Sequence, residues 1–185
     1  MKMNEAIHDT TLYSTAPSPE GRMEKEMAVY ALLEKLQIPY LRLDHEPMMT
    51  IEACADVDRL LGITICKNLF LCNAQKTKFY LLLMPGAKRF DTKTFCRQIE
   101  SPRLSFAPAE YMEKFLNITP GSVSIMGLMN DAEKQVSLYI DKEVLESEEI
   151  GCHPCINTSS LRLKTADVLN KFLPYTGHGY GVVEL

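Results

Sequence analysis

The chain has 185 residues, 46% of them hydrophobic and 24% charged, with a formal net charge of −4. That length fits one globular domain, and the apolar share excludes wholesale disorder, collagen-like sequence and low-complexity repeats. The longest apolar run, Phe79 to Pro85, falls far short of the roughly 20 residues needed to cross a bilayer, and the acidic total argues against a protein that coats nucleic acid.

The first residues contain no apolar core of a secretory signal, so a cytoplasmic protein is expected. Residues 1–21 are polar and end in Pro17-Ser18-Pro19-Glu20-Gly21, which reads as a flexible leader before a single domain over residues 22–185. Arg22 to Gln37 is expected to be helical, because Val29, Leu32, Leu33 and Leu36 fall on one face. Pro39 stops that helix, and Tyr40 to Asp44 alternates as a strand. Thr50 fits an N-cap for a second helix, with Ala53, Val57, Leu60 and Leu61 on one stripe and Gly62 as its stop.

Ile65 to Cys72 and Phe79 to Met84 read as strands joined by a turn at Asn73-Ala74-Gln75. Both are apolar on both faces, which places this hairpin inside a sheet. Asp91 caps a helix running to about Ile99, and Pro108 opens another in which Tyr111, Met112 and Phe115 share a side. Ser122 to Met126, Gln135 to Ile140, Ile150 to His153 and Leu161 to Leu163 are strand expectations. Thr165 is expected to cap a helix carrying Val168, Leu169, Phe172 and Leu173, and Tyr180 to Val183 to close a sheet. Interspersed helices with tightly connected strands imply an α+β fold: a mixed, largely antiparallel central sheet with helices packed on it. No phosphate-cradling glycine motif is present, so nucleotide hydrolysis and dinucleotide chemistry have no support.

Three features carry candidate chemistry. Lys67 shares a strand face with Ile65, Leu69 and Leu71, and its ammonium must reach water, a carboxylate or a ligand. It either snorkels at the strand end or polarises a carbonyl at a pocket mouth. Thr119-Pro120-Gly121-Ser122-Val123-Ser124-Ile125-Met126-Gly127 is either a plain turn with a bulge glycine or a loop whose amides meet a ligand. Cys152-His153-Pro154-Cys155 has dithiol or half-zinc spacing, but no second ligand pair lies at a suitable interval. A polar loop aiming His153 and Asn157 into a pocket fits that stretch equally well. The six cysteines are expected to stay reduced as small buried hydrophobes, and His8, His45 and His178 have no partners in the pattern. Charge is uneven: eight basic residues face two acids between Gly62 and Leu104, against twelve and twenty-two elsewhere. That stretch is either a solvated face or a grip for a short polyanion.

The ordered set His45-Glu46-Pro47-Met48-Met49-Thr50-Ile51-Glu52-Ala53, Lys67-Asn68-Leu69-Phe70-Leu71, Leu82-Leu83-Met84-Pro85-Gly86, Arg103-Leu104-Ser105-Phe106-Ala107, Thr119 to Ser124 and Cys152 to Thr158 resembles the YbaK/prolyl-tRNA synthetase-associated domain family. The likeness runs from about Arg22 to Leu185 and is to the freestanding Ala-tRNA(Pro) deacylase branch (ProX-type). The resemblance implies a partly barrel-like version of the α+β fold and hydrolysis of the ester joining a wrong amino acid to the terminal adenosine of tRNA, with no cofactor and no metal. It implies Lys67 as the catalytic residue and Asn68, Gly121, Ser122, Val123, Ser124, Ile125, His153 and Asn157 as substrate-binding positions. The family loop is usually Gly-x-x-x-Pro, and Ile125 stands where its proline would be. The partners implied are the acceptor end of aminoacylated tRNA(Pro) and prolyl-tRNA synthetase, with no membrane. Alternatives are the same fold acting on Cys-tRNA, a non-catalytic sensor of charged tRNA, and a dithiol or metal protein built on Cys152 and Cys155.

Overall fold

Strand β3 (Phe79–Met84) is buried along its whole length, because an apolar residue stands at every position and each face meets a separate core. The computed structural model describes residue 7, residues 9–47 and residues 51–185. In chain order, α1 (Glu24–Lys35), β1 (Tyr40–Asp44), α2 (Ile51–Leu61) and β2 (Lys67–Asn73) precede β3. After it come α3 (Thr92–Gln98), β4 (Leu104–Phe106), α4 (Ala109–Leu116), a 3-10 turn (Ile125–Asn130), β5 (Val136–Asp141) and α5 (Lys142–Glu146). The chain closes with β6 (Glu149–Cys152), β7 (Ser159–Lys164) and α6 (Thr165–Asp167), which runs through a π-helical turn (Val168–Phe172) into α7 (Leu173–Thr176), and then β8 (Tyr180–Val183).

One sheet has the order β4-β2-β3-β5-β8. β2 pairs antiparallel with β3 and β4, whereas β3–β5 and β5–β8 are parallel. The second sheet, β1-β7-β6, is antiparallel throughout. A bridge from Ile65 to Gly151, with Cys66 N–H donating to the Gly151 carbonyl at 3.0 Å, stitches the lead-in of β2 to β6. The sheets are thereby joined without closing into a barrel.

Phe79, Leu81 and Leu83 point into the main core with Phe70, Leu138, Ile140, Leu161 and Leu163. Tyr80, Leu82 and Met84 point the other way, against Leu71, Phe95 and Leu104 beneath α3. Val57 and Leu61 of α2 cover Leu43 and Ile7 in a third cluster. Asp91 caps α3 as expected, accepting from Lys93 N–H at 3.0 Å.

Several expectations need correction. Ser122 to Met126 is not a strand: Ser124 starts the 3-10 turn, its Oγ accepting from Met126 N–H at 3.2 Å, and Ile125, Met126 and Leu128 sink into the core. A short apolar run looks the same in either geometry. Thr165 does not cap α6, because Lys164 holds the cap position and Thr165 Oγ1 is buried without a partner among the described residues. Part of the stretch expected as a flexible leader is docked on the fold: Tyr13 and Arg42 exchange backbone hydrogen bonds at 2.9 and 2.7 Å, and the Arg42 guanidinium lies 4.6 Å from the Tyr13 ring centre. β4 and α5 were not anticipated, being three and five residues long. The Thr50 cap and His8 lie outside the described residues.

Candidate active site

A cavity of about 710 Å³ lies where α2, the start of β2 and the loops after β3, α4 and β6 converge. Lys67 forms part of its wall, with Pro120 and Gly121. Its ammonium donates to the Lys88 carbonyl at 2.6 Å. An ammonium has three donors, so two remain for a ligand. The Lys88 chain is itself anchored: its Nζ sits 3.2 Å from Asp141 Oδ2 and 2.6 Å from Glu143 Oε1. Asp141 is fully buried and also accepts from the amides of Glu143 and Leu185 at 3.0 and 3.2 Å. The catalytic candidate is thus held by a carbonyl fixed through a buried carboxylate on β5.

Beside it, three polar side chains form a chain. His45 Nε2 is 2.9 Å from Ser160 Oγ, which lies 3.4 Å from His153 Nδ1. His45 Nδ1 faces the Glu46 carbonyl at 2.9 Å, and His153 Nδ1 faces the Ser159 carbonyl at 3.0 Å. Carbonyl oxygens only accept, so both rings carry their proton on Nδ1. The Ser160 hydroxyl then donates to His45, and His153 Nε2 keeps a lone pair with no partner among the described residues. Desolvation lowers both imidazole pKa values, which keeps the rings neutral near pH 7.

Asn157 also lines the cavity, and a Cβ on Gly121 would stand 3.7 Å from its Nδ2. Space therefore does not demand glycine at position 121; its φ of +88° does. Gly86 is the reverse case, because a Cβ there would stand 2.1 Å from the Ile65 carbonyl oxygen. Asp58 of α2 adds a carboxylate to the wall. Burial raises its pKa, while Oδ1 accepts from the Ile65 amide at 3.0 Å.

The structure gathers Lys67, Gly121, His153 and Asn157 around one space. Asn68, Ser122, Val123, Ser124 and Ile125 do not line it. Asn68 points to the opposite face of β2, its Nδ2 donating to the Cys66 carbonyl at 3.2 Å and its Oδ1 buried without a partner among the described residues. Ser122 N–H closes the turn onto the Thr119 carbonyl at 3.1 Å, so that amide is not free for a ligand; the Gly121 amide has no acceptor among the described residues. Val123 packs on the main core, and Ile125 is fully buried within it. Ser124 Oγ donates to the His153 carbonyl at 2.6 Å, making it a support for the loop that carries His153.

His45, Ser160, Asp58 and Gly86 are cavity residues that pattern reasoning missed as site residues, since they become neighbours only through the β1–β7 register and the stitched sheets. His178, isolated in sequence, is buried and bonded to Asp131 Oδ2 at 3.1 Å and Thr176 Oγ1 at 3.0 Å, a structural role away from the cavity. Cys152 and Cys155 are buried, and desolvation pushes both thiols upward, Cys155 to about 12. Such thiols are poor nucleophiles at neutral pH. Among the described residues, no three His, Cys, Asp or Glu side chains group as a metal site would require. No described helix is long and apolar enough to cross a membrane.

A cavity walled by one tethered cation, a glycine turn and neutral imidazoles offers donors to an oxygen that gains negative charge. A family model described as the aminoacyl-tRNA editing domain matches residues 45–171. Prolyl-tRNA editing protein ProX of Acetoanaerobium sticklandii is 33% identical, the match covering 88% of this chain and 99% of that protein. Prolyl-tRNA synthetase associated domain-containing protein 1 of Danio rerio is 27% identical over 94% of this chain and 92% of its own. A crystal structure of a candidate trans-editing enzyme for prolyl tRNA synthetase shares the fold at a TM-score of 0.65 and 16% identity, over 89% of this chain and 99% of the other. The chain belongs to the aminoacyl-tRNA editing domain family. It is an aminoacyl-tRNA deacylase, and charged tRNA is its partner.

Proposed function

We propose that the protein removes alanine from Ala-tRNA(Pro), acting in trans beside prolyl-tRNA synthetase. The observation that carries this reading is the meeting of Lys67 and Gly121 at one cavity, with two ammonium donors uncommitted. The aminoacyl ester is already activated, so hydrolysis needs charge stabilisation and a positioned water more than a strong nucleophile. Lys67 and the Gly121 amide are donors suited to the oxygen that gains negative charge as water attacks; removing a donor of this kind typically costs about 3–4 kcal/mol. The water is oriented by the substrate's own ribose hydroxyl, as the family resemblance implies. Selection by size requires a part of this cavity that fits alanine and rejects the proline ring. Ile125, where the family loop has proline, is buried in the core and does not line the cavity.

The test is to incubate the protein, and a Lys67→Ala variant, with Ala-tRNA(Pro), Pro-tRNA(Pro) and Cys-tRNA(Pro). Loss of alanine alone, by the wild type only, is expected. Faster release of cysteine than alanine would reassign the substrate, and binding without turnover of any ester would make the protein a sensor.

A further inference from the structure

A second cavity, of about 630 Å³, opens between Phe90, the first turns of α3 (Thr92, Lys93, Cys96) and Arg103. Beside it stands Phe106, 62% exposed, its ring centre 6.4 Å from that of Phe90 in edge-on contact. Phe106 thus presents most of its ring to solvent at the edge of the sheet while one side meets Phe90. The charges are equally unusual. Of the seven arginines in the chain, Arg22, Arg42, Arg59 and Arg162 are ion-paired. Arg89, Arg97 and Arg103, with Lys93, are exposed and form no salt bridge among the described residues; Lys93 and Arg103 line this pocket, as does Asp91. The nearby Asp91 is occupied in capping α3 through Lys93 N–H and Thr94 Oγ1.

The loop after β3 contributes to both pockets, Gly86 and Ala87 to the first and Phe90 to this one. Phe90 and Leu69 pack on the same buried cluster, and Leu69 stands two residues beyond Lys67 on the same face of β2, a rise of about 7 Å. Phe90 also follows by two residues the Lys88 carbonyl that holds the Lys67 ammonium.

We propose that the pocket is a subsite for an upstream nucleotide of the single-stranded acceptor end, Phe106 and Phe90 offering ring faces and edges to a base while Arg103 and Lys93 take its phosphate. It rests on the editing reading and adds to it a site for the body of the substrate away from the reacting ester. Aromatic stacking plus unpaired cations is the combination that holds single strands with little sequence preference.

The variants Phe106→Ala and Arg103→Gln change exposed side chains. With Ala-tRNA(Pro), Phe106→Ala should raise KM roughly 5- to 150-fold. Arg103→Gln should reduce the slope of log affinity against log salt by about 0.7, the value for one single-strand phosphate contact. The preference of the wild type for full tRNA over 3′-alanyl adenosine, measured as a ratio of kcat/KM, should shrink in both variants. Deacylation by the wild type with KM and salt slope unmoved in both variants would overturn the subsite and leave the editing reading intact. Should the wild type hydrolyse no aminoacyl-tRNA, binding of an uncharged single-stranded RNA ending in CCA decides: weaker binding by both variants supports the subsite, and equal binding overturns it. Loss of a dimer in Phe106→Ala during gel filtration would instead mark this face as a contact between copies and also overturn it.

Discussion

Lys67 and Lys88 face each other as donor and acceptor, the side-chain ammonium of the first resting 2.6 Å from the backbone carbonyl of the second. Two like-charged residues are thereby adjacent without repulsion, because Lys88 turns its own ammonium to Asp141 and Glu143. The arrangement aims Lys67 along the cavity wall and keeps a carboxylate from neutralising it.

Lys67→Ala should lower kcat for deacylation about 100- to 1,000-fold, the usual loss for one preorganised donor. The side chain is half-buried, so the folded state should persist, as circular dichroism and a urea titration would report. Lys67→Arg should not restore the rate, since the planar guanidinium cannot copy a compact ammonium that splits its donors between a carbonyl and a substrate.

Lys88→Met preserves the backbone carbonyl and removes its anchor. A stability loss of about 1–3 kcal/mol is expected, because Asp141 keeps only its amide donors. The deacylation rate should fall less than in Lys67→Ala. An equal loss in both would mean that Lys88 itself meets the substrate.

Gly86→Ala and Gly121→Ala separate two reasons for glycine. The first drives a methyl into the Ile65 carbonyl and should destabilise the protein by at least about 1–3 kcal/mol in urea unfolding. The second finds room but pays the cost of a left-handed backbone, about 1–2 kcal/mol, and should lower kcat by moving the Gly121 amide.

Acid should weaken the fold through the paired imidazoles. Desolvation lowers the native pKa values of His45 and His153, whereas the unfolded chain protonates near the ordinary value of about 6.5. Between these values the unfolded state binds more protons, so stability falls as pH drops through about 6.5 and levels off below the native values. The urea midpoint of the wild type should drop more between about pH 7.5 and pH 5.5 than that of a His45→Gln/His153→Gln variant. Parallel slopes would show that neither ring stays neutral in the native state.

Much of the fold was legible because local chemistry and burial agree. Phe79–Met84 and Tyr180–Val183 are bounded as their apolar runs foretold, and Asp91 caps the helix it precedes. Residues 122–126 misled because a buried 3-10 turn and a buried strand both need a short apolar run. Thr165 misled because a hydroxyl before an apolar stripe looks like a cap whether or not the backbone turns there. In the site, Lys67 was visible as a charge on a greasy face and Gly121 as a turn glycine. His45, Ser160 and Asp58 were not, since their proximity is set by strand register between segments more than a hundred residues apart or by the seat of a helix. The direction of Ile125 was equally hidden, because loop residues have no periodicity to assign them a side.

Gly86 touching the Ile65 carbonyl means that this part of the pocket's floor is peptide against peptide. No larger or smaller side chain can be exchanged there to fit another amino acid. Descendants of this protein that change their diet would have to do so from the ceiling, where Cys54, Ala55 and Val57 project from α2, leaving the foundation as it is.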